Sequence, residues 1–86
     1  MDDRDTNCLF LISNDEFDYH IFSSEVFVED YGYATTYGMT ISGDNEYESV
    51  EDVTDEFDRI KSFCELLCRE KAYPVHLKDL VEDFLS

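Results

Sequence analysis

Glycine, proline and basic side chains are scarce in this chain, and each scarcity removes a class of function. Three glycines among 86 residues cannot build the Gly-rich loop that cradles a phosphate, because that loop needs backbone N–H groups brought close to the anion. No nucleophile elbow and no His-Glu-x-x-His pair is present. The two histidines, His20 among aromatics and His76 in the first turn of a late helical stripe, assemble no catalytic constellation by spacing. The single proline and three glycines also leave no linker, repeat or low-complexity tract. The reading is a binding protein, with no catalytic role and no cofactor.

Basic residues are the second shortage. Six Lys and Arg stand against 22 Asp and Glu, a net charge of −16. Small soluble domains sit nearer a magnitude of about 2–8. Unassisted contact with DNA, RNA or an anionic membrane is disfavoured, since both partners would be negative.

Cysteine and long apolar runs are also sparse. Three cysteines, an odd number, make no disulfide framework. Cys64 and Cys68 lie one helical turn apart in apolar company and read as buried small hydrophobes in a reducing cytoplasm. A zinc site drawn from Cys64, Cys68 and His76 has only three ligands and no common spacing. Asp44, Glu46 and Glu48 alternate like the start of a calcium loop, but Ser49 and Asp55 stand where Gly and Glu are needed. No metal site is expected. The run Cys8–Ile12 is too short to span a bilayer. The Met-Asp-Asp-Arg start shows no basic segment before an apolar stretch. A cytoplasmic protein is expected, in a bacterial cell or in the host cell of a phage.

What is present suffices for one folded domain, residues 1–86, with polar residues 1–6 frayed. Apolar residues make up 43% and aromatics 15% of the chain, more than disordered acidic chains carry. Residues 8–12 read as a buried strand ended by a Ser-Asn-Asp-Glu turn. Residues 17–29 are aromatic and β-branched, with a change of parity at Ser23-Ser24 that predicts a bulge or bend. In residues 33–42, Tyr33, Thr35, Tyr37, Met39 and Ile41 should face the core, and Ala34, Thr36, Gly38, Thr40 and Ser42 should face out. Gly38 marks a twist or a close approach. Residues 46–50 read as an edge strand.

The period then becomes helical. Thr54 is the expected N-cap, with Asp55 and Glu56 in the first turn. Phe57, Ile60, Phe63, Cys64, Leu67 and Cys68 form one stripe, ending near Lys71. Pro74 permits a new start. Leu77, Leu80, Val81, Phe84 and Leu85 form a second stripe. The expected fold is α+β: an antiparallel sheet of three or four strands followed by two C-terminal helices packed on one face.

The tail His76-Leu77-Lys78-Asp79-Leu80-Val81-Glu82-Asp83-Phe84-Leu85, the pair Tyr37-Gly38 and the step Glu51-Asp52-Val53-Thr54 resemble a small bacterial family of unknown function over residues 31–86. That resemblance supports the fold and implies no activity. In size and charge alone, the chain is similar to small acidic phage-borne anti-CRISPR inhibitors.

Residues 5–58 hold 15 acids and no base, and the five later bases fall between Arg59 and Lys78. A domain about 30 Å across spans roughly 18 charges of duplex DNA, comparable to this chain's charge. The expected partner is a basic protein surface, such as the nucleic-acid groove of a CRISPR effector nuclease or another nucleic-acid-binding protein. The expected binding residues are Asp44, Glu46, Glu48, Glu51, Asp52, Asp55, Glu56 and Asp58, with Glu25, Glu29 and Asp30 as a second patch. Tyr31 and Tyr47 are the expected aromatic anchors, with Tyr33 a further candidate. The alternative is an accessory protein that uses an apolar helix face or sheet edge, its charge serving solubility alone. The sequence leaves a homodimer open.

Overall fold

β-Branched and aromatic residues dominate the first half of the chain, and they form four strands. The computed structural model describes residues 8–86, so the fraying expected of residues 1–6 lies outside the described residues. Strands β1 (Cys8–Ser13), β2 (Asp18–Val28), β3 (Gly32–Ser42) and β4 (Tyr47–Thr54) form one antiparallel meander in the order β1-β2-β3-β4. Helix α1 (Phe57–Arg69), a single 3-10 turn (Pro74–His76) and helix α2 (Leu77–Leu85) follow. This is the expected α+β architecture. α1 packs across the sheet, and α2 lies on β4. Tyr19, Ile21, Met39, Ile41 and Val53 of the sheet meet Ile60, Phe63, Cys64, Leu67, Leu77 and Val81 of the helices in one core.

Two contacts tie the layers together. Tyr19 Oη donates to Ala72 O at 2.8 Å, and Asn14 Nδ2 donates to Cys68 O at 3.0 Å. Asn14 Oδ1 also accepts the N–H groups of Glu16 and Phe17, both at 2.8 Å, which shapes the β1–β2 turn.

The lengths of the elements decide what is covered. β2 and β3 have eleven residues each, about 36 Å of strand. α1 has thirteen, only about 20 Å of helix. β1 pairing stops at Phe22 and β4 pairing stops at Tyr37. Residues 25–35 therefore continue as a bare two-stranded arm. The principal extents are 44 × 37 × 20 Å and the radius of gyration is 13.1 Å, above the roughly 12 Å of a compact chain this long.

Several sequence expectations change for this reason. The Ser23-Ser24 bend is absent: β2 and β3 stay in register from Asp18↔Ser42 to Val28↔Gly32. The parity change there marks the limit of the helix cover. Tyr33 and Thr35 share the face of Met39 and Ile41 but lie past the helices, so they are exposed. β1 is an edge strand and not a buried one: Phe10 and Ile12 pack on the core, while Leu9 and Leu11 are exposed. Leu85 lies outside the core and is exposed.

On the opposite face, Thr36, Gly38 and Thr40 are buried although expected to point outward. Thr40 is 2% exposed and shares a 2.9 Å hydrogen bond with Ser49 Oγ. A Cβ at Gly38 would sit 2.5 Å from Val50 O, the expected close approach. It borders an irregularity where Tyr37 pairs with Thr54 and Met39 with Val50. That bulge lets Val50 and Val53 both reach the helices.

Thr54 ends β4 and is not the residue capping α1. Its Oγ1 still accepts the Glu56 N–H at 3.2 Å, and the first-turn acid is Asp58, not Asp55 or Glu56. α1 closes with Ala72 N–H donating to Leu67 O at 2.9 Å and Lys71 at φ +56°, a left-handed terminus of the kind glycine usually occupies.

Candidate functional site

The two layers differ sharply in charge. Residues 59–86 carry five acids and five bases and are neutral, whereas residues 8–58 carry fourteen acids and no base. Four bases are engaged within the molecule. Lys71 pairs with Asp15 at 3.4 Å and Lys78 with Glu48 at 3.4 Å. Arg59 lies 4.9 Å from the Phe84 ring centroid and Lys61 lies 5.3 Å from that of Phe10. By formal count the net charge of the described residues lies in residues 8–58, and Lys71 and Lys78 each offset one of those acids from the helical side.

The eight acids between Asp44 and Asp58 do not form one patch. Asp44 and Glu46 flank the β3–β4 turn, closed by Gly43 N–H to Glu46 O at 2.8 Å. Asp44 there shares a concavity of about 260 Å³ with Asp15, Glu16 and Asp18 from the neighbouring turn. Those three acids were not among the expected binding residues. Glu48 sits opposite Ile41, toward the helices, where Lys78 neutralises it. Asp52 occupies the bulge at φ +55° and accepts the Thr36 hydroxyl at 2.7 Å. It therefore has a structural duty. Glu56 faces Arg59 at 3.9 Å.

At the far end of the sheet, the start of α1 meets the base of the arm through the Tyr37 and Phe57 rings, 5.5 Å apart. This places Asp55, Glu56 and Asp58 at the same end as Glu25, Glu29 and Asp30. Glu29 and Asp30 occupy the arm's turn, closed by Tyr31 N–H to Val28 O at 3.0 Å. Tyr31 is 86% exposed at the tip. Tyr33, 73% exposed, stacks edge-to-face on Phe27, 67% exposed, with ring centroids 5.5 Å apart. Phe27 was not an expected anchor. Its signal was its place opposite Tyr33 in a hairpin centred on Asp30.

The uncovered sheet face holds a shallow concavity of about 550 Å³. Leu11 and Phe22 give it apolar patches, Thr40, Ser42, Ser49 and Tyr47 line it with hydroxyls, and Asp18, His20 and Glu51 add titratable groups. Tyr47 is thus part of this face, away from Tyr31. Burial pushes the His20 imidazole below its ordinary value, and Asp18 pulls it partly back. Burial pushes the Cys64 thiol up to about 12 and raises that of Cys68. Burial also raises the Tyr19 phenol, against a lowering hydrogen bond from Asn14. Among the described residues, no three His, Cys, Asp or Glu side chains converge as metal ligands. No helix among them is long and apolar enough to cross a membrane.

The model of a family of unknown function, DUF6514, matches residues 11–86. The chain belongs to this family. The match takes in the last part of β1, all of β2, β3 and β4, the arm and both helices. No match was found among curated proteins or among solved structures.

Proposed function

We propose that this DUF6514 protein binds a cationic surface on another protein through its sheet side, and so blocks that surface. The most concrete target is the nucleic-acid groove of a nuclease, of the CRISPR-effector or restriction type. The observation that carries this reading is the segregation of charge: fourteen acids without a base in residues 8–58, backed by a neutral helical layer. Fourteen charges over the 44 Å long axis give one per about 3 Å, near the 3.4 Å spacing of a single DNA strand. The molecule is longer than the 30 Å expected from chain length, so its charge density matches one strand and not a duplex. Binding of this kind is fast at low salt and weakens as ionic strength rises.

Fluorescence-anisotropy competition against labelled oligonucleotides on a panel of basic nucleases tests this. The protein should displace the oligonucleotide from a member of the panel. Neutralising Asp44, Glu46, Glu51 and Asp55, whose side chains engage no other described side chain, should remove the displacement. Neutralising Asp79, Glu82 and Asp83 on α2 should not. Equal effects of the two sets would defeat the proposal.

A second reading, an accessory protein that docks through its helices, is favoured by an apolar groove of about 430 Å³ lined by Leu66, Leu67, Ala72, Tyr73, His76 and Leu80. It predicts that Leu66→Asp, and not the acidic variants, abolishes binding.

A further inference from the structure

We infer that the arm formed by residues 25–35 is an insertion element whose aromatic face enters an apolar groove rimmed by Lys or Arg on the partner. This rests on the cationic-surface reading above and adds to it the element that makes the contact.

The arm extends past the last β1 and β4 pairings, at Phe22 and Tyr37. A lone two-stranded ribbon is marginal in water, and this one nonetheless displays three large aromatics. Phe27, Tyr31 and Tyr33 expose on the order of 400 Å² in all, as much as the largest apolar patch of a typical monomer. Aromatic anchors of this kind dominate binding energy where they become fully desolvated. The edge-to-face Phe27–Tyr33 pair is already formed, and Asp30 at φ +79° and Gly32 at φ +87° fix the turn that presents Tyr31. Less ordering is then left for the moment of binding.

Charge selects the occupant. Glu25, Glu29 and Asp30 border the aromatics and the arm has no base. A second copy would bring another −16 and the same acidic rim to the contact, which like charges oppose. An anionic lipid surface is opposed for the same reason. A groove with an apolar floor and a cationic rim satisfies both features.

The test uses the full chain and two dye-labelled synthetic peptides of equal charge at low salt: a Leu/Lys amphipathic helix and a Lys/Ser counterpart with no apolar face. The protein should bind the Leu/Lys peptide about tenfold more tightly, and the Phe27→Ser, Tyr33→Ser double variant should lose that preference while keeping its Lys/Ser affinity. Amide shifts on adding the Leu/Lys peptide should concentrate at residues 25–35, which gives a readout independent of any variant. Equal affinity for both peptides, or a preference that survives the double substitution, would overturn the inference and leave the cationic-surface reading standing. Failure of both peptides to bind would defeat the two together. A wild-type dimer in sedimentation that the double substitution dissolves would assign the arm to a second copy and also overturn it.

Discussion

If the sheet layer carries an unbalanced field of carboxylates, the folded state must repel itself, and salt must stabilise it. The fourteen acids of residues 8–58 form about ninety pairs, separated on the order of 20 Å in a molecule 44 × 37 × 20 Å. In water, each pair costs about 0.2 kcal/mol unscreened. Screening lowers this to about 0.1 kcal/mol at 0.01 M salt and about 0.02 kcal/mol at 0.15 M. The repulsion therefore falls from roughly 9 to roughly 2 kcal/mol, of which the unfolded chain, about 29 Å in radius, retains less than a third. Realising even 2 kcal/mol of the difference moves Tm by about 8–16 °C in a domain of this size. Thermal melting followed by circular dichroism, from low salt to physiological salt, should show that rise. Neutralising Asp44, Glu46, Glu51 and Asp55 halves the number of pairs. That variant should melt higher than the parent at low salt and respond about half as steeply. A Tm that does not move with sodium chloride, or a neutralised variant no more stable than its parent, refutes the claim that the charge is unbalanced.

Three further outcomes follow from single sites. Gly38→Ala forces a methyl group to 2.5 Å from Val50 O and 2.6 Å from Phe22 Cζ, and should cost about 1–3 kcal/mol in urea unfolding; an unchanged midpoint would contradict the close approach. His20 is held neutral by burial, so its folded pKa lies below the unfolded value of 6.5. The unfolded state then binds the extra proton as pH falls below about 6.5, and His20's contribution, complete above that pH, is lost toward the lower folded pKa. An NMR titration midpoint at or above 6.5 would refute this, and Asp18→Asn should lower the midpoint further. Cys8 is exposed while Cys64 and Cys68 are buried. A chromogenic thiol reagent should thus find one fast thiol in the native chain and three in denaturant, and three fast native thiols would contradict the packing of α1.

The elements were legible because their periods are clean. Met39 and Ile41 alternate, and Ile60, Phe63, Cys64 and Leu67 recur at helical spacing, so the α+β order could be read without a partner sequence. The site was less legible. Parity assigns faces only while pairing is regular, and the bulge that holds Asp52 resets it between Val50 and Val53. Glu48, in the regular ladder before that bulge, shares the face of Val50 and so meets Lys78 on the helix side, although sequence spacing groups it with Asp44 and Glu46. Thr40 shows a different limit. An outward-pointing residue of a central strand can still be shielded by its cross-strand neighbours, here His20 and Ser49. Local sequence also cannot show how far a helix reaches along a strand. That reach decides whether Tyr37 packs on the core and Tyr33 stands in water.

The arm itself argues for use. Ordering a residue's backbone costs about 1–2 kcal/mol, and a ladder hydrogen bond returns only about 0.5–1.5 kcal/mol. Core strand residues offset the difference by burying apolar area, but none of residues 25–35 belongs to the core. A chain selected for stability alone would turn back at Ser24, which already pairs with Thr36. Replacing residues 25–35 by Asn-Gly would close that pair with a two-residue turn of the type hairpins favour. The shortened protein should keep its Tm within about 5 °C and lose the preference for the Leu/Lys peptide. A fall of about 15 °C or more would show that the arm is part of what holds the fold together, and its exposed aromatics would then need no partner to account for them.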